Sequence, residues 1–221
     1  MSGVERGALQ RWLETSYVLQ RRDLNTDPPH SITKMKTDWP FLFTLKGMFS
    51  HFKELTGIHI LEKLPAAIEM KSKNIMEYFI QHKTPGVEKI LEAYNEERNR
   101  TICAIMCLLA HFKEGDGIFI EADPSATAAD VERVGTLPST PRLVVPGTPH
   151  RQLDYVHGLA AVFTAYYVFN LQYPAEAACT LEFIQRAFCG INSQHGSKAK
   201  KKKGLNAPVC TLLRKLLDFE L

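Results

Sequence analysis

The chain predicts a helix-rich globular fold, mainly α with a small β hairpin or three-stranded element, an α+β arrangement by class. Three observations carry that expectation. Apolar residues recur at helical spacing over most of the chain. The period changes once, after Gly115-Asp116-Gly117. A turn-like Pro146-Gly147-Thr148-Pro149 string then separates two short apolar runs. A length of 221 residues allows one sizeable core, or a large lobe and a small one. With 45% apolar and 23% charged residues, the composition fits a soluble globular protein and excludes collagen-like and wholly disordered classes.

The first helix is expected over 4–22, with Leu9, Trp12, Leu13 and Ser16 on one side. Asp27-Pro28-Pro29 ends it, because paired prolines cannot continue a hydrogen-bonded turn. That helix and its linker form a first unit over 1–32, and a helical lobe over 33–115 follows. Asp38-Trp39-Pro40 resembles a helix start, since Asp caps free amides and Pro suits the first turn. Phe41, Leu45, Met48, Phe52 and Leu55 then repeat at helical spacing until Gly57, a natural stop. A second stripe, interrupted near Pro65, is Leu61, Leu64, Ile68, Ile75 and Phe79. After Thr84-Pro85-Gly86 a third runs through Val87, Ile90, Leu91, Tyr94, Ile102, Ile105, Leu109 and Phe112. Its second half is apolar nearly all round, which marks a helix buried on most sides.

The unit over 116–221 begins with the small β element. Ile118-Phe119-Ile120 is expected as a short buried strand. Leu143-Val144-Val145 and Leu153-Asp154-Tyr155-Val156 are expected to pair as a hairpin, beyond an Ala-, Thr-, Ser- and Pro-rich lobe boundary over 123–141. Helices return over 159–170 and 174–188, the second aligning Ala177, Leu181, Ile184 and Phe188. A Lys-rich loop lies near 197–204. Asn206 then caps a last helix with an apolar face of Val209, Leu212, Leu213, Leu216 and Leu217.

Two blocks carry a family resemblance. One is Asn170-Leu171-Gln172-Tyr173-Pro174 with Thr180-Leu181-Glu182-Phe183-Ile184-Gln185-Arg186, continuing through Phe188, Ile191-Asn192 and Gly196-Ser197-Lys198 to Asp218-Phe219-Glu220. The other is Asp38-Trp39-Pro40-Phe41-Leu42-Phe43 with His51-Phe52-Lys53-Glu54-Leu55-Thr56-Gly57. Together they resemble the C-terminal region of vertebrate sterile-alpha-motif-domain-containing protein 3-like proteins, a poorly characterised group expanded in fishes. The likeness runs from about Thr33 onward, and residues 1–32 are too few for the sterile alpha motif itself. It implies a helix-rich domain that binds something. It transfers no catalytic residue.

Reactive groups are scattered. Cys103, Cys107 and His111 stand at i, i+4 and i+8, a pattern that can offer ligands to zinc. Three ligands strung along two turns diverge in height, however, and Ile102, Ile105, Leu108 and Leu109 surround them, so packing is the expectation. Cys179 and Cys189 are candidates by type alone. Cys210, near the start of the last helix, is the best-placed thiolate, yet Val209 and Leu212 beside it argue for packing. The chain has no nucleophile-elbow string, and His150 and His157 flank Asp154 without the order of a triad. Gly115-Asp116-Gly117 precedes a strand and lacks the phosphate-loop order. Catalytic residues, metal ligands and cofactor are therefore expected to be none, and an enzyme is not expected.

The first 22 residues carry Glu5, Arg6, Arg11, Glu14, Arg21 and Arg22, which leaves no apolar stretch for an export signal. The least charged segment, 155–175, has a dense apolar part shorter than the roughly 20 residues a membrane span needs. No membrane association is expected, and the location is intracellular, cytoplasm or nucleus. Five cysteines suit a reducing compartment. A net charge of +3 does not by itself advertise nucleic acid. Lys198, Lys200, Lys201, Lys202 and Lys203 do break the composition, as a solvated loop, a nuclear import signal or a contact to phosphates. The expected function is a non-enzymatic interaction or regulatory domain that docks a protein partner or a second copy. Phe41, Phe43, Phe49 and Phe52, which encircle more of a helix than one core face needs, are its expected surface. The alternative is a nuclear protein using the lysine loop on nucleic acid.

Overall fold

The computed structural model describes residues 3–92, 96–114, 118–122, 143–146, 152–192 and 206–219. In chain order its helices are α1 (Gly3–Leu24), α2 (Ile32–Asp38), α3 (Leu45–Thr56), α4 (Ile60–Gln81), α5 (Pro85–Glu92), α6 (Glu96–Phe112), α7 (Gln152–Val168), α8 (Ala178–Phe183) and α9 (Ala207–Phe219). A 3₁₀ turn, Pro40–Phe43, precedes α3, and α8 runs on into a π-helical turn, Ile184–Phe188. The helix-rich globular class is what the sequence predicts. Among the described residues no helix is long and apolar enough to cross a membrane.

The centre belongs to α7. It packs on α3, α4 and α6, and Leu159, Ala160, Phe163 and Val168 have no exposed surface. A helix touched on three sides has to be apolar nearly all round, which is the pattern of 159–170. The stripe of α4 faces the same core: Leu64, Ile68 and Phe79 are completely buried and Ile75 nearly so. Its Pro65 does not break the helix. The carbonyl that loses its helical donor is that of Leu61, an exposed residue in the first turn, where an unmade helical bond is cheapest. α9 covers α4 and α8 with Val209, Leu212 and Leu216 inward.

The expected hairpin and three-stranded element are not formed. Leu153, Asp154, Tyr155 and Val156 are the first turns of α7, because Tyr155 and Val156 continue the helical row of Leu159, Ala160 and Phe163 into the core. Two four-residue stretches, β1 (Phe119–Ala122) and β2 (Leu143–Pro146), do pair, with Phe119 opposite Leu143. They run parallel, so no tight turn joins them. The segments 123–141 and 147–150 lie outside the described residues.

Two further boundaries differ from expectation. The third stripe divides into α5 and α6, on either side of positions 93–95, which lie outside the described residues. The helix expected from Asp38 onward is instead α2, a corner, and α3. The residue before a proline is held out of the helical region, and Trp39 accordingly has φ −131° and ψ 57°. Thr44 is the true N-cap of α3. Its Oγ1 accepts from the Gly47 amide at 3.1 Å and donates to the Phe41 carbonyl at 2.8 Å. Gly57 ends α3 in the left-handed conformation, φ 73°, as expected.

Candidate functional site

The Cys103–Cys107–His111 row faces the core. Cys103 is 6% exposed and Cys107 not at all. Burial pushes the Cys107 thiol up to about 12 and the Cys103 thiol in the same direction, the opposite of what a metal ligand or nucleophile needs. The His111 ring packs 5.4 Å from Phe79 and 5.2 Å from Phe112, and burial lowers its proton affinity. Cys179 and Cys189 are likewise pushed up to about 12 by burial. Among the described residues no group of three or more His, Cys, Asp or Glu is placed to hold a metal ion.

Of the four phenylalanines of the expected surface, Phe52 is a correction. Phe52 is completely buried, its ring edge-on to Phe163 at 6.1 Å and Tyr167 at 5.4 Å. Phe43 lies 4.8 Å from Phe169, and Phe43 and Phe49 pack against the core while staying half-buried. Phe41 is half-buried at the corner before α3. These rings surround α3 because α3 is packed on several sides, by α1, α4, α7 and the 3₁₀ turn. Lys198, Lys200, Lys201, Lys202 and Lys203 lie outside the described residues.

Two buried carboxylates escape notice in the sequence. Glu114, 5% exposed just beyond α6, accepts from the amides of Cys179 and Thr180 at 2.7 and 2.8 Å and from Thr180 Oγ1 at 2.8 Å. A carboxylate thus satisfies the free donors at the start of α8. Glu182, with no exposed surface, accepts from Arg186 Nε at 2.9 Å and from Asn206 Nδ2 at 2.7 Å. Asn206 stands at the cap position of α9, but its side chain serves Glu182 rather than the α9 amides.

The unusual surface is α1. Two polar residues of α1 are turned inward: Ser16 and Gln20 are 8% and 2% exposed, against His51 of α3, which is 4% exposed. Gln20 Nε2 donates to Ser16 Oγ at 2.7 Å, and Gln20 Oε1 lies 2.8 Å from His51 Nδ1. Outward, α1 shows Trp12, Val18 and Leu19, 47%, 72% and 45% exposed. The Trp12 ring lies 6.1 Å from that of Trp39, whose Nε1 donates to Asp23 at 3.0 Å. Arg11 and Arg22 stand exposed on the same outer side of the helix. The sequence signal that separates this helix from the others is its mixed inner row, with Ser16 and Gln20 where α4 has Leu and Ile.

A cleft of about 720 Å³ opens beyond the C-terminal end of α1, between residues 24–29 and 169–176. Asn25, Asp27, Asn170, Gln172 and Glu176 line it, with Asn170 Nδ2 donating to Asn25 Oδ1 at 3.1 Å. Among the described residues its lining supplies carboxylates and amides but no thiol, imidazole or cation to work with them. No family model, no curated protein and no solved structure matches the chain.

Proposed function

We propose that the chain is a non-enzymatic interaction domain, working in the cytoplasm or nucleus, whose α1 outer face docks a protein partner or a second copy. One observation carries the reading: Trp12 stands half in solvent beside Trp39, with Leu19, Arg11 and Arg22 on the same helix. Aromatic and arginine side chains are the residue types that dominate binding energy at protein interfaces. An isolated exposed leucine needs no such account, but an exposed tryptophan is a large apolar area left in water. The resemblance to sterile-alpha-motif-domain-containing protein 3-like proteins implies the same coarse role.

A photo-crosslinking residue at Val18, introduced into the chain in cells, tests this. Recurrent adducts of defined mass, lost when Trp12→Asp is added, are the expected result. Faint adducts of all sizes, unchanged by Trp12→Asp, would count against a docking face on α1.

The second reading, contact with nucleic acid phosphates, rests on five positive charges within six positions, Lys198 to Lys203. It expects binding to duplex or single-stranded nucleic acid that weakens steeply with added salt and is lost when Lys200 to Lys203 are changed to alanine. A filter or anisotropy assay that finds no binding at low salt ends it.

A further inference from the structure

We propose that α1 is a detachable latch, held shut on α3 by the Ser16–Gln20–His51 relay and released when that relay takes up a proton.

The geometry comes from how α1 is attached. Among its described side chains the contacts with the rest of the chain include three hydrogen bonds, Gln20 to His51, Arg21 Nη1 to the Val168 carbonyl at 3.1 Å, and Asp23 to Trp39, beside the ring contacts of Tyr17 with His51 and Trp12 with Trp39. Leu24 packs against the core and Asn25 is bonded to Asn170, so the C-terminal end is pinned. The rest of the helix can swing about that end. A seam of hydrogen bonds is directional and gains little from burial, so losing one bond weakens it more than losing one contact weakens an apolar seam.

Tautomer decides what a proton does there. With Gln20 Nε2 committed to Ser16, the oxygen Oε1 faces the ring, and His51 Nδ1 must donate to it. Nε2 then holds only a lone pair, buried and without a hydrogen-bond partner. Protonation would place an N–H at that spot with no acceptor, and a positive charge near Arg21. From α1 the groups facing His51 are the Tyr17 ring, 4.8 Å away, and Arg21. From Tyr155 to Val168 α7 carries only His157 and tyrosines, and the 3₁₀ turn carries no titratable side chain. Glu62 and Lys63, in the first turn of α4, are exposed. Among the described residues no carboxylate acts on the ring to hold a proton there. Burial first, and Arg21 second, lower the His51 imidazole from 6.5 to about 4.

The sign follows from linkage. The closed state binds the proton less tightly than the open one, so closure is fully favoured above about 6.5 and is lost as pH falls toward about 4. Between pH 7 and pH 5 the opening constant should rise about twentyfold.

Hydrogen exchange of the full chain at pH 7 and pH 5, corrected for the intrinsic rate, reads this directly. The expected result is α1 losing protection by about that factor while α7 keeps its own. Fluorescence of Trp12 and Trp39 should change over the same interval, because opening separates the pair. His51→Gln, which keeps a donor for Gln20 without a titratable ring, should leave α1 protected at both pH values. Equal protection of α1 at both pH values overturns the proposal, as does loss of protection by α1 and α7 together. So does a pH response that survives in His51→Gln. Should that variant fail to fold, the C2-proton titration of His51 in the unaltered chain replaces it: its midpoint must coincide with the release of α1, and a separate midpoint overturns the latch.

Discussion

Changing Gly47 to alanine is expected to destabilise the chain by about 3 kcal/mol or more, although the same change in an ordinary helix interior stabilises by about 1 kcal/mol. A Cβ at Gly47 would overlap the Phe41 carbonyl oxygen and stand 2.7 Å from both its carbonyl carbon and its ring. The carbonyl is backbone, so no rotamer change clears the way. Nor can the 3₁₀ turn retreat: Leu42 is 1% exposed, Phe43 lies against Phe169, and Thr44 is fastened to both Phe41 and Gly47. The overlap is relieved only by moving α3 off the corner, which also drags Phe52 out of its cage. Thermal unfolding should show the midpoint falling by roughly 10 °C for a chain of this size. Gly7→Ala is the control. That position is exposed in α1 with nothing within 4 Å, so alanine there should be neutral or slightly stabilising. A neutral Gly47→Ala would mean that the corner and α3 do not touch in this way.

The Gly47 contact also explains why the corner was illegible in the sequence while most helices were not. α4, α7 and α9 bury apolar rows against neighbours, and an apolar row is visible one residue at a time. The break between α2 and α3 depends on Phe41 meeting Gly47 after the chain has turned, and the local string Asp38-Trp39-Pro40 reads equally well as a helix start. Leu153 to Val156 fails for a related reason: four residues are too few to tell a buried strand from the first turn of a helix, and only the continuation into Leu159 and Phe163 decides. The cysteines were legible, because Cys103 and Cys107 sit among aliphatic neighbours in sequence as they do in space. The buried polar groups were not. Glu114 and Thr180 are 66 positions apart and Glu182 and Asn206 are 24, so nothing local distinguishes these acids from solvated ones. The same holds for the α1 seam, where His51 meets Gln20 from 31 positions away. What could be read was the cost side alone: an inner helix row containing Ser16 and Gln20 must find partners somewhere.

Glu182→Ala is expected to cost about 3–5 kcal/mol, most of it from the charge left behind rather than from the bonds removed. Glu182 holds Arg186 Nε and the Asn206 side chain, and it also accepts from the Asn206 amide at 3.3 Å. It therefore ties the π-helical turn to the start of α9 across the lysine-rich segment. The Arg186 side chain is only 10% exposed, and its Nη2 already has no hydrogen-bond partner. Without Glu182 that guanidinium is a buried cation that has lost the carboxylate paired with it among the described residues. Three variants divide the effect. Glu182→Gln keeps the shape and an acceptor but no charge, and should lose about 1–3 kcal/mol. Glu182→Met combined with Arg186→Met removes both charges, and should be more stable than Glu182→Ala despite the greater number of changes. If instead the double variant is as unstable as the sum of its parts, the pair is not coupled and Asn206 carries the loss. Urea unfolding supplies the free energies. Hydrogen exchange in α9 supplies the location, since Tyr78 still packs on Phe219 at the far end, and only the first turns of α9 should open when their carboxylate anchor is gone.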